Sequence, residues 1–501
     1  MRTFLLLASI AIGSVTVSAE IDINYRIGLT GNAGSGDFAP TLITNNNHGV
    51  TTSPYGIAAR GTAWKSLETA KRLSWGAGVD LIGDYASSIT YSKYDADSRT
   101  WYDHPMHPPR AWIQQLYGEV KFRGVFLTAG LKEYESGMVN HKLSSGDLNF
   151  SGNTRPLPGF RTGFIDFQNI PFTNGWLQIQ GEIGYFKSTD NDWTKQHFNF
   201  YYGCINQGWW YNYKRAYFRT KPTERLSVTF GCQASAQFSG DITNYVEGKV
   251  TNYRQHKLKF ADFFEMLIPQ TGEEYYKGNH VGSWDLKARY RLNNGDKVYG
   301  YFQWLWEDGS GVGKLNGLDG LWGLEYKRAN GGLVSGAVVE YFDFCNQSGP
   351  IHWDPVDSPG TTLTGEATGF DNYYNNNMQN GYAIYGLAIG SPIFPSTFYN
   401  LQGQNLFLCN RLHGFHVGVL GDITPHLDYR MLFTYRKGFG TGLIPFIHAR
   451  ESTSMMVECN YRMPSVEGLA VKGQLAFDAG KLQGNNFGAL LTVSYSGKLS
   501  F

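Results

Sequence analysis

The sequence predicts an all-β protein: a transmembrane antiparallel β-barrel of about 18 strands, with long extracellular loops and short periplasmic turns. Three observations predict it. Apolar and polar residues alternate with a period of two along run after run of the chain, and the connections between those runs alternate long and short. No stretch after residue 20 stays apolar for the length that a membrane helix needs, yet only 17% of residues are charged, against roughly 25% in a typical soluble domain.

The chain opens on what reads as a secretory signal peptide. Arg2 supplies the positive start, Phe4 to Ile12 the apolar core, and Val17, Ser18 and Ala19 the small-residue cleavage site. The expected organisation is therefore 1–19 signal peptide and 20–501 outer-membrane β-barrel, exported to the bacterial outer membrane. Removing Arg2 lowers the 43 Lys and Arg to 42, equal to the 42 Asp and Glu. With no net charge and no basic stripe, nucleic acid is not an expected partner. The cysteines, Cys204, Cys232, Cys345, Cys409 and Cys459, show no CxxC spacing, which argues against a zinc site. Cys459 shares its strand face with Met455, Val457 and Tyr461 and reads as a small lipid-facing residue.

Strands are expected near 21–31, 55–65, 71–86, 111–122, 124–132, 159–168, 176–187, 208–220, 224–238, 283–292, 296–307, 319–328, 332–345, 411–420, 426–436, 452–462, 467–479 and 486–501. The last is the clearest. Phe487, Ala489, Leu491, Val493, Tyr495, Leu499 and Phe501 alternate with Gly488, Thr492, Ser494, Ser496, Lys498 and Ser500, one set per face. Trp284, Leu286, Ala288 and Tyr290 likewise alternate with Asp285, Lys287, Arg289 and Arg291. Four charges on one face belong in a wide polar lumen, where opposite signs pair. Long connections cover about 32–54, 87–110, 133–158, 188–207, 239–282, 308–318, 346–410 and 437–451, and only the ninth, near 480–485, is short; one helix is expected within them, from Leu258 to Ile268. A soluble sandwich has no reason to segregate loop length by end.

No GxSxG, HExxH or phosphate-loop pattern occurs, so neither an enzyme nor a cofactor is expected. Asp103, His104 and His107 carry metal-ligand types, but Pro105, Pro108 and Pro109 make their loop stiff and solvated, and spacing places no further ligand. No metal is expected. Aromatics inside the long loops have no lipid to explain them. Trp101, Tyr102, Trp193, Trp353, Tyr373 and Tyr374 are the candidates for polysaccharide binding, since sugar C–H faces stack on such rings while neighbours such as Asn372 meet hydroxyls. Packing of loop on loop would use the same residues.

Several stretches carry a resemblance. They are Gln115-Leu116-Tyr117-Gly118, Leu127-Thr128-Ala129-Gly130-Leu131-Lys132, Leu148 through Asn153-Thr154-Arg155-Pro156 to Pro158, Gly282-Ser283-Trp284-Asp285-Leu286, and Trp306-Glu307-Asp308-Gly309-Ser310-Gly311. In this order and over most of the chain, the sequence resembles the capsule-assembly Wzi family of outer-membrane proteins. The resemblance implies an eighteen-stranded barrel that acts as a lectin-like protein, binding or organising exported surface or capsular polysaccharide, with its lumen blocked by inward-folded loops and no catalytic residue. Members of the family can carry a periplasmic helical bundle before the barrel; here a strand pattern starts at Ile21. The expected partners are that polysaccharide, outer-membrane lipid and lipopolysaccharide, and the barrel-insertion machinery that reads the terminal Phe501.

The alternative is an open outer-membrane porin for small solutes or oligosaccharides, because barrels of this strand number are wide enough for an aqueous pore. The third long loop bears on the choice. Met138, Val139, Leu143, Leu148 and Phe150 suit it to folding into the barrel, with Arg155 and Asn153 as plug-tethering candidates and a wall carboxylate as the expected partner of Arg155.

Overall fold

The computed structural model describes residues 21–190, 192–268, 278–307, 312, 317–347, 371–376 and 378–501. The predicted signal peptide and Trp353 lie outside them. Strand-forming alternation closes one sheet. In chain order its strands are β1 (Asp22–Ser35), β2 (Gly56–Lys65), β3 (Leu73–Ala86), β4 (Ala111–Phe122), β5 (Val125–Leu131), β6 (Pro158–Phe164, resuming at Gln168–Asn169), β7 (Leu177–Lys187), β8 (Trp210–Thr220) and β9 (Leu226–Phe238). They continue as β10 (Gly278–Arg291), β11 (Lys297–Glu307), β12 (Gly320–Lys327), β13 (Gly336–Asp343), β14 (Leu412–Thr424), β15 (Leu427–Gly440), β16 (Pro445–Arg462), β17 (Leu469–Gly480) and β18 (Asn486–Ser500). Each pairs antiparallel with its chain neighbours, and β18 returns to β1 in register from Asp22↔Ser500 to Ser35↔Phe487. The result is a closed eighteen-stranded barrel. Closure leaves no strand edge unpaired.

The period-two pattern sorts the faces as expected. On β18, Phe487, Leu491, Val493, Tyr495 and Leu499 are exposed; on β10, Trp284, Leu286 and Tyr290 are exposed while Ser283 and Asp285 are buried. Cys459 also faces outward and is in no disulfide. An apolar belt round the whole outer wall is far larger than the patches a water-soluble monomer shows, and it fits lipid. Inward, charges pair across strands: Glu182 accepts from Arg161 at 3.2 Å and Arg215 at 3.0 Å, and Glu458 faces Arg430 at 2.9 Å.

Connections at one end are short and at the other long, with two exceptions. The ninth long-end loop is short as expected. The eighth, expected over 437–451, is short too, because β15 runs out to Gly440 and β16 starts at Pro445. Toward the long-loop end the outer face of this hairpin is exposed and its inner face carries the buried Gly438 and Gly440, so no apolar alternation marks it as strand; Lys437↔Glu451 pairing holds it instead, with their charges 3.6 Å apart. The helix expected over Leu258–Ile268 spans only Phe260–Glu265. Phe263 packs on Trp210 and Phe238, while Phe260 and Phe264 are exposed. The loops also contain strands that local pattern did not reveal: a hairpin of Ile89–Asp95 with Thr100–Met106, and a three-stranded sheet of Tyr202–Gln207, Gly240–Val246 and Lys249–His256.

The core lies within the barrel. Tyr211, Tyr213, Tyr217 and Tyr301 point inward from the wall, and all are buried, which in a barrel this wide requires something packed on them. That material is loop 132–157 together with the described part of loop 344–411, whose Met138, Val139, Leu148, Tyr373, Tyr374, Tyr382 and Phe394 join the same cluster. Loop 36–55 enters as well, burying Leu42 and Ile43 against Leu143.

Candidate glycan-binding face and the plug beneath it

Wall side chains hold the third loop by charge-assisted bonds. Glu340 on β13 accepts from the Ser144 hydroxyl at 2.6 Å, the Ser145 amide at 2.7 Å and the Tyr301 hydroxyl of β11 at 2.5 Å. Asp147 of the loop accepts from Gln233 at 2.9 Å and Gln303 at 3.0 Å, while Lys287 donates to the Met138 carbonyl at 2.7 Å. Asn140 donates to Glu325 at 2.9 Å. The loop is therefore tied at several points along its length, to β9, β10, β11, β12 and β13. Asn153 ties loop to loop: its Nδ2 donates to the Ala388 carbonyl at 3.0 Å and its Oδ1 accepts from the Asn46 amide at 3.2 Å.

The close contacts of Arg155 are aromatic, with the β3 carboxylate of Asp84 acting on it through space: the guanidinium lies 4.0 Å from the Trp112 ring of β4 and 4.7 Å from the Tyr385 ring of the seventh loop. Nε donates to the Gly49 carbonyl at 3.5 Å. Burial pulls the Arg155 pKa down, opposed by Tyr385 and Asp84. A flat, weakly hydrated cation between two rings is the arrangement that tolerates such burial.

This sandwich walls an open cleft of about 600 Å³ at the long-loop end. Trp112 and Tyr385 provide ring surface; Asp190, Asp192 and Gln207 line the cleft from the fourth loop. A framework holds each piece. Trp112 Nε1 donates to Gln114 at 2.8 Å, and Gln114 donates on to Glu133 at 2.9 Å and to the His48 carbonyl at 3.2 Å. Asp190 accepts from the Thr194 amide at 3.0 Å, and Gln207 donates to Asp192 at 3.3 Å. Rings beside carboxylates and carboxamides can stack a sugar and bond its hydroxyls.

The residues singled out in the sequence are dispersed. Trp101 and Tyr102 are adjacent on one hairpin strand and so face opposite ways, each 48% exposed. Trp101 packs with Tyr94 at 5.4 Å and Tyr201 at 5.3 Å, making an aromatic ridge on the outer surface. Trp193 is half-buried, stacked on His197 at 4.7 Å and packed on Phe398. Tyr373 and Tyr374 are wholly buried in the plug, where no glycan reaches a ring. Trp112 and Tyr385 escaped the sequence reading: Trp112 sits in a strand, where aromatics read as wall, and Tyr385 in the short Ala383–Ala388 hairpin that only tertiary packing brings to the cleft.

Metal-type ligands meet at a different place from that weighed in the sequence. Asp103 and His104 are consecutive on their strand and diverge. Among the described residues, Asp343, Cys345 and His413 bring a carboxylate, a thiol and an imidazole within 4.8 Å of one another at the rim of β13 and β14.

A closed barrel with an apolar outer belt and a charged, hydrogen-bonded lumen defines an outer-membrane β-barrel protein. No protein-family model and no curated protein matches the chain. Among solved structures, the fold is similar to that of Wzi, an outer-membrane protein involved in group 1 capsule assembly in Escherichia coli and described as a carbohydrate-binding β-barrel. The match covers 93% of this chain and 83% of that one, at 13% identity and a TM-score of 0.54. OccAB4 of Acinetobacter baumannii matches over 95% of this chain and 98% of its own at 11% identity and TM-score 0.45. OccK7 of Pseudomonas aeruginosa covers 96% and 100% at 10% identity and TM-score 0.46.

Proposed function

We propose that the chain is a non-enzymatic, lectin-like barrel of the outer membrane that binds surface or capsular polysaccharide at its long-loop face while inward loops block its lumen. One observation carries the reading: the Trp112–Arg155–Tyr385 cleft, lined also by Asp190, Asp192 and Gln207, stands over a loop bonded to the wall by Glu340 and Asp147. A solute channel would need that loop to leave the axis free. The carbohydrate binding described for the Wzi barrel supports the same reading. On it, residues 1–19 are a cleaved signal peptide, the long loops face the exterior among lipopolysaccharide, and the barrel is assembled by the insertion machinery.

The test combines two measurements on purified barrel. Binding to the host's own surface polysaccharide is expected, weakened roughly tenfold by Trp112→Ala, since a stacked ring contributes on the order of 1 kcal/mol beyond its buried area. Planar-bilayer current is expected to be small or absent. Large steady wild-type channels without glycan binding would replace this reading with the porin.

A further inference from the structure

A second cavity lies inside the barrel, away from the cleft. It encloses about 170 Å³ between residues 41–47 of the first loop, residues 141–145 of the plug and strands β14, β15 and β17. Four cations line it: Lys142, Arg430, Arg436 and Lys472, with His141 and His416. Few carboxylates answer them. Glu458 takes Arg430 at 2.9 Å and stands 3.9 Å from Lys472; Glu135 pairs with His141 at 3.4 Å. Glu340 is taken up by Ser144, Ser145 and Tyr301. Asp478 accepts from the Thr41 amide at 2.9 Å, its hydroxyl at 2.7 Å and Asn486 at 3.2 Å, and forms no ion pair with Arg436.

Arg436 is the decisive group. It is 1% exposed and the bulkiest of the fully buried side chains. Its partners are neutral: the Ile393 carbonyl at 3.3 Å, the Ser452 hydroxyl at 3.4 Å and the Gln483 carboxamide. Its Nε has no partner, nor has Arg430 Nε or the Ser145 hydroxyl oxygen; all three are buried atoms of residues that line the same space. Asp478 acts on Arg436 only through space, without ion-pair contact; a guanidinium buried with no carboxylate in contact is unfavourable, and an anion beside it lowers that penalty.

We infer that this cavity is a binding site for a small oxyanion: phosphate, sulfate or the carboxylate of an acidic sugar. Guanidinium donors suit such oxygens, and Arg436 closes the inner end of the space while Lys142 and Lys472 stand at its more open end. The Lys472 side chain is 39% exposed and that of Arg430 23%. Both sit near the short-turn ends of their strands, so the anion enters from the end opposite the cleft. The site does not depend on glycan binding at the long loops.

Titration calorimetry on the detergent-solubilised full chain, with inorganic phosphate, sulfate, glucuronate and neutral glucose at constant ionic strength, tests it. Saturable binding is expected for an anion and not for glucose. Arg436→Gln weakens it about tenfold or more, Lys472→Gln less, and Trp112→Ala leaves it unchanged. If Arg436→Gln does not assemble, Lys472→Gln combined with Lys142→Gln carries the test, both positions being partly exposed. Tighter phosphate or sulfate than glucuronate identifies a free ion as the ligand, and the reverse order an acidic sugar. No saturable anion binding by the wild type, or binding that these lumenal substitutions leave intact, overturns the site.

Discussion

The Arg155 guanidinium lies 4.0 Å from the Trp112 ring, joining the end of the inward loop to the barrel wall by a cation–π contact that also forms one side of the outer cleft. Replacing Arg155 by Ala removes the contact to both rings, each worth about 0.5–2 kcal/mol. The barrel should assemble normally, with more bilayer current than wild type and weaker polysaccharide binding. Arg155→Lys should restore little, because an ammonium does not stack flat between two rings. Wild-type current and binding in Arg155→Ala would remove this tie from both the plug and the cleft.

Glu340 gathers three donors, two of them from the plug. Glu340→Ala leaves those buried donors unpaired, at about 1–3 kcal/mol each. The expected result is a barrel that inserts but shows frequent channel openings and faster proteolysis within residues 138–149. Glu340→Gln, which keeps an acceptor, should lie between the two.

Leu491 is 57% exposed on the outward face of β18. Leu491→Arg places a charge against lipid at about 2–4 kcal/mol near the midplane, so the amount of heat-modifiable barrel in membranes should fall. Thr492→Arg, on the lumen side, should be milder. Equal loss from both would contradict the assignment of the two faces.

His197 is buried in the outer loops, with Nε2 3.1 Å from the Asn400 carbonyl and Nδ1 3.0 Å from the Asn405 carboxamide. Burial pushes its pKa down to about 4, so the folded loops hold a neutral ring. With Nε2–H donating to the carbonyl, Nδ1 accepts, and the carboxamide must turn its NH2 to the ring. The unfolded segment binds a proton near pH 6.5, so the contribution is complete above that pH and is lost as pH falls through about 4, by about 3 kcal/mol. Hydrogen-exchange protection of residues 193–205 should decline across this window, and His197→Gln should flatten the decline.

Much of the architecture was legible because lipid imposes a strict rule on local sequence. One face of each strand must be apolar and the other need not be, so alternation marked all eighteen strands of the barrel and the outward set of β18. The inward loop was legible for a related reason: Met138, Val139, Leu143 and Leu148 had no lipid to face, and all are buried in the lumen. Where glycines carry the inner face, as Gly438 and Gly440 do at the β15–β16 rim, the alternation lapses before the strand ends. The cleft and the lumenal cavity were decided by tertiary structure alone. Trp112, Arg155 and Tyr385 are far apart in the chain, as are Lys142 and Arg436, and each is ambiguous by itself. Only closure of the barrel and the inward fold of its loops set these groups against one another, because ring stacking and charge excess are properties of distances that no local periodicity encodes.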